Sequence, residues 1–151
     1  MAVMKRYFYI GSRMAAIVIM LMMTAATALA QNVHVGQLFS RFGHARGCKM
    51  VEMHDTELKG YSLSVYKSLT YGRRQQNEVN SRLMSDRKHA KKIREVVDDG
   101  RIVSGYYMMP PVAAGCNRYI LFSNTGDGSG AVIYIEGRLS PDDIMKICYG
   151  K

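Results

Sequence analysis

The first thirty residues constrain this chain more than any other segment. They carry Lys5, Arg6 and Arg13 and no acid, turn apolar from Met14 through Ile17-Val18-Ile19-Met20-Leu21-Met22-Met23, and close on Ala28-Leu29-Ala30. A positive start, a short apolar middle and an Ala-x-Ala end are the three parts of a secretory signal peptide. The charge stays on the cytoplasmic side while the apolar stretch is offered to the translocation machinery. A permanent anchor is the competing reading. Thr24, Thr27 and several alanines dilute the segment below the roughly 20 strongly apolar residues that a spanning helix needs. The pattern therefore predicts a signal peptide over 1–30, cleaved after Ala30, with Gln31 rather than a lipidated Cys as the new first residue. No second long apolar run follows, so the processed chain is expected to have no transmembrane helix and to be periplasmic or extracellular.

What folds is then residues 31–151, short enough for a single domain. All 12 acidic and 18 of the 21 basic residues lie in it, so the basic excess outlasts cleavage. With 48% hydrophobic and 22% charged residues overall, wholesale disorder is excluded. Val35, Leu38, Phe39, Phe42 and Ala45 recur at helical spacing, which predicts a helix over Val35–Arg46 stopped by Gly47. Lys49–Met53 reads as a short strand. Over Lys59–Leu69, Tyr61, Leu63 and Val65 alternate with Gly60, Ser62 and Ser64, the period of a strand with one wet face. The polar run after Tyr71 reads as a connection. Leu83, Ala90, Ile93 and Val97 then predict a helix from about Asn80 to Asp98, ended by Gly100.

Strands follow at Ile102–Met109, halted by Pro110-Pro111, at Tyr119–Ser123 and at Ala131–Glu136. A glycine-rich turn, Thr125–Gly130, joins the last two. Ser140-Pro141-Asp142-Asp143 opens a final helix with a hydroxyl cap, proline at the first position and acids in the first turn. Ile144, Ile147 and Cys148 form its apolar face. This order predicts an α+β fold: a largely antiparallel sheet of about four to five strands with two or three helices packed on it.

The segments Leu38-Phe39-Ser40-Arg41-Phe42, Gly47-Cys48-Lys49-Met50-Val51, Tyr61–Leu69, Asp86–Val97 and Val132–Ile144 together resemble the small exported proteins of unknown function found in Bacteroidota. The resemblance covers most of residues 33–149 as a pattern of elements with loose motifs. It implies a small envelope protein and brings no catalytic residue with it.

Nine basic residues between Lys67 and Arg94 face only Glu78 and Asp86. Arg73, Arg74, Arg87, Lys88, Lys91, Lys92 and Arg94 are the candidate contacts for an anionic envelope component or an acidic partner. The plainer reading is a solvated helix face. Nucleic acid is not an expected partner after export, and no aromatic-interleaved binding motif is present. In an oxidising compartment two of Cys48, Cys116 and Cys148 can pair in three ways, leaving one thiol over. His44, Cys48 and His54, with His34 nearby, lack the paired spacing of a structural zinc site, so no metal is expected.

The Gly126-Asp127-Gly128 turn lacks the spaced carboxylates of a calcium loop. No nucleophile elbow, zinc-protease motif, phosphate loop or dinucleotide fingerprint occurs, so no cofactor and no catalytic residue is assigned. Tyr61, Tyr66, Tyr71, Tyr106, Tyr107, Tyr119 and Tyr134 read as half-buried strand residues. The expected function is a non-enzymatic binding or interaction module of the envelope. The alternatives are adhesion to an anionic lipid or glycan surface through 67–94, and, further off, a metal- or thiol-dependent activity.

Overall fold

Two-residue turns lay down much of this chain. In the computed structural model, which describes residues 33–150, Lys59-Gly60 and Asp99-Gly100 each hold two successive positive φ angles, 50° and 83° in the first and 47° and 73° in the second. Those are the angles of the tight hairpin turn whose twist matches the flanking strands, and glycine at the second position adopts them without strain. The expected signal peptide lies outside the described residues.

The elements are α1 (Gly36–Phe42), β1 (Lys49–Leu58), β2 (Tyr61–Tyr71), α2 (Gln76–Arg87), β3 (Lys91–Asp98), β4 (Arg101–Ala113), β5 (Cys116–Asn124), β6 (Gly130–Gly137) and α3 (Pro141–Tyr149). The six strands form one antiparallel sheet in the order β1-β2-β6-β5-β4-β3. The α+β architecture stands, but with six strands rather than four to five. The difference lies in Lys91–Asp98, expected as the second half of a helix. The helix ends at Arg87, and the β-branched Ile93, Val96 and Val97 run antiparallel to β4 through the Asp99-Gly100 turn. Gly100 therefore closes a hairpin rather than a helix.

Two further departures share one cause, a residue inserted into a strand. Ser64 bulges between Leu63, opposite Gly137, and Val65, opposite Glu136. The insertion reverses the alternation, so Tyr61, Leu63 and Tyr66 share one face and Val65 takes the other. Pro110-Pro111 does not end β4. The prolines fall in an irregularity between Met109 and Ala113, beyond the last residue paired with β3, where a missing N–H costs no ladder bond.

Each face of the sheet buries its own cluster. On one, Val35, Leu38 and Phe39 around α1 and Val79 and Leu83 of α2 pack on Leu69, Ile120, Phe122 and Val132. On the other, Leu139, Ile144 and Ile147 around α3 pack on Leu63, Tyr119, Leu121 and Ile135. The start of α3 is built as its sequence predicts. Ser140 Oγ accepts the Asp143 N–H at 3.2 Å, Asp143 Oδ2 accepts the Ser140 N–H at 2.8 Å, and Pro141 sits in the first turn. No helix among the described residues is long and apolar enough to cross a membrane.

Candidate functional site

The register of the sheet decides what the α3 face presents. Three cross-strand rows follow from the pairings: Met53-Tyr66-Ile135-Tyr119-Met108, then Val51-Ser68-Ile133-Leu121-Tyr106-Arg94, then Lys49-Thr70-Ala131-Ser123-Ser104-Val96. Helix α3, nine residues long, packs on the first row and the residues beside it. The second row carries large apolar side chains at its centre, and the third carries small ones. Side by side with α3, they leave a groove of about 300 Å³ lined by Leu58, Tyr66, Tyr106, Leu121, Ile133, Ile135, Ile147 and Cys148, with Ser123 and Ala131 at its shallow end.

The polar groups lining this groove come from several elements, with Tyr66 on β2, Tyr106 on β4 and Ser123 on β5. A second bulge, at Ile93, brings Arg94 opposite Tyr106 while Lys92 stays opposite Tyr107. Arg94 consequently rises on the groove face, its guanidinium 5.0 Å from the centre of the Tyr149 ring. Tyr149 donates from its hydroxyl to the Tyr106 hydroxyl at 2.8 Å, with the rings 5.7 Å apart. Burial above all pushes the Tyr106 hydroxyl well above the usual tyrosine range, so it stays protonated. Burial also pushes the Cys148 thiol up, only partly opposed by Lys59, so its sulfur is held as the thiol rather than the nucleophilic thiolate. Lys59 Nζ donates to the Ile147 carbonyl at 2.8 Å and to that of Gly150 at 3.4 Å, satisfying the last carbonyls of α3.

The seven basic residues singled out in the sequence are not brought into one stripe. Arg73 and Arg74 precede α2, where Arg73 borders a separate polar cleft of about 460 Å³ with Gln76, Asn80, Asp98 and Arg101. Arg87 and Lys92 converge on Glu95, at 2.6 and 3.4 Å, on the α1–α2 face of the sheet. Glu95 also accepts from the Tyr107 hydroxyl at 2.7 Å, and Arg87 above all holds its carboxyl down to about 2. Lys88 and Lys91 are exposed. Arg94 lies on the groove's face of the sheet and approaches it through Tyr149, which is bonded to the groove-lining Tyr106; Lys91, opposite Met108, lies on that same face.

Cys48, Cys116 and Cys148 are all unbonded and half-buried. Cys48 packs with the cluster under α1 and Cys148 with the cluster under α3, so the sheet stands between them. His34 Nδ1 lies 2.9 Å from Asp86, and His54 Nε2 lies 2.8 Å from Glu52. The described residues contain no group of three or more His, Cys, Asp or Glu arranged to hold a metal ion. At the β5–β6 turn, Asp127 Oδ1 accepts from the Ser129 N–H at 2.9 Å and from its hydroxyl at 2.6 Å, which commits that carboxylate to the turn itself.

The groove residues Tyr66 and Tyr106 appear in the sequence as ordinary strand tyrosines, and Leu121 and Ile133 as ordinary core. Their shared face depends on the Ser64 bulge and on cross-strand register, neither of which leaves a periodic signal. The family of unknown function DUF6108 matches residues 21–148, and the chain belongs to that family. No curated protein and no solved structure matches it.

Proposed function

We propose that this DUF6108 member is an exported, non-enzymatic binding module of the cell envelope, and that the groove beside α3 is its binding surface. One observation carries the binding part: an apolar groove on a sheet face that a nine-residue helix covers only in part. Small-ligand sites have this form, mostly apolar walls with a few polar groups among them. Within the groove, burial holds Cys148 as the thiol, so the binding reading does not draw on its sulfur. Export rests on the charge, apolar run and Ala-x-Ala end of residues 1–30.

Nile red, a neutral dye that brightens in apolar sites, tests the binding surface on the full chain as the cell delivers it. Ile133→Glu places a charge on the groove floor and is expected to abolish dye uptake. Ala131→Phe fills the shallow end and is expected to reduce it. Uptake unchanged in both, with melting temperatures also unchanged, contradicts the assignment. Terminal sequencing of protein from fractionated cells tests export, with Gln31 as the expected first residue of the envelope form.

A further inference from the structure

We infer that the groove takes a single-chain anionic amphiphile, its hydrocarbon tail over Ile133 and Leu121 and its carboxylate at Arg94. This rests on the groove being the binding surface, and it adds the chemistry of the occupant.

The tail follows from the walls. Leu121, Ile133 and Ile135 form an apolar floor, and Ile147 closes one side. A volume of about 300 Å³ stands at the small end of the range for ligand pockets, roughly 300–1,000 Å³, which suits one chain rather than two.

The head follows from how the cations are distributed. Arg87 and Lys92 meet Glu95, Arg41 and Arg82 meet Glu78, and Lys67 meets Glu52. Arg94, like Lys49 and Lys91 on the same face of the sheet, has no carboxylate among the described residues within ion-pair distance; what sets it apart from those two is its contact with an aromatic ring beside the groove. Its guanidinium rests on the Tyr149 ring, and Tyr149 is tied through its hydroxyl to Tyr106 at the groove wall. With the ring on one side, the guanidinium keeps N–H groups that can present parallel donors to a carboxylate. A cation without an acid partner beside an apolar groove complements a ligand with one anionic end.

Calorimetry on the full chain, with dodecanoate, dodecanol and dodecyltrimethylammonium below their aggregation concentrations, tests this. Dodecanoate is expected to bind at least about tenfold tighter than the other two. Arg94→Gln should remove that preference, bringing dodecanoate affinity down to that of dodecanol measured on the same variant, whereas Arg94→Lys should keep part of it. Equal binding of all three probes, or a preference that survives Arg94→Gln, overturns the headgroup assignment and leaves the binding surface standing. Uptake of none of them, including the case of a stable dimer that hides Ile133, overturns both. Binding to anionic vesicles without uptake of monomeric dodecanoate also overturns the inference, in favour of a membrane surface.

Discussion

Asp86, near the end of α2, holds Val35 at the start of α1: its Oδ2 accepts the Val35 N–H at 2.8 Å, and its Oδ1 accepts the His34 N–H at 2.7 Å. The carboxylate is almost fully buried, so these donors, with the His34 ring, replace the water it has lost. The contact spans half a hundred residues of sequence and pins the first described segment onto the helix layer.

Asp86→Ala leaves two backbone N–H groups without that acceptor. The expected cost is about 2–3 kcal/mol, in the range for hydrogen bonds to a charged group. Urea denaturation measures it, and hydrogen exchange at Leu38 and Phe39 should accelerate more than exchange in β5.

Glu95 carries the pH dependence of the α1–α2 face. Its carboxyl is held at about 2 in the fold, below the ordinary 4.5, chiefly by Arg87. A depressed folded-state value means the stabilisation is complete above 4.5 and is lost as pH falls toward 2. Glu95→Gln is expected to lower the melting temperature at neutral pH and to flatten its fall between 4.5 and 2. A variant that tracks the parent across that window contradicts the assignment.

Gly105 lies in the cross-strand row of Phe122 and Val132, beneath the stacked rings of Tyr107 and Phe122. A Cβ there would come within 2.6 Å of the Tyr107 ring and 2.7 Å of the Phe122 ring. Gly105→Ala is expected to destabilise by about 1–3 kcal/mol through overpacking. The damage falls on the face opposite the groove, so Nile red uptake by the folded fraction should not change.

Cys148 supplies a reporter inside the groove. Burial raises its thiol, so iodoacetamide should modify it more slowly at neutral pH than a free thiol, and the rate should climb as pH rises. Peptide mapping by mass spectrometry follows it separately from Cys48 and Cys116. A rate equal to that of free cysteine contradicts the burial argument.

What the sequence made legible here was what is local. Ser140, Pro141 and Asp143 signal a helix start because a cap bonds within four residues, and the Gly-rich turn before β6 reads directly from backbone freedom. Lys91–Asp98 was misleading because Leu83, Ala90, Ile93 and Val97 happen to fall at helical intervals. The competing signal, Asp99-Gly100 after a β-branched run, marked a hairpin. Arg94 stood among the candidate contacts as one of seven basic residues. Its separation from Lys92 by the Ile93 bulge, and so its place at the groove, exists only once β3 is paired with β4. The groove itself is a product of register across β2, β6, β5 and β4, which no single segment encodes.

The most direct measurement is a set of intermolecular nuclear Overhauser effects between dodecanoate and a methyl-labelled sample of the full chain. Contacts are expected from the tail to the methyl groups of Leu121, Ile133 and Ile147, and none to Leu69 or Val79 on the opposite face. Contacts confined to that opposite face, or no contacts to the groove methyls at saturating ligand, would contradict that placement.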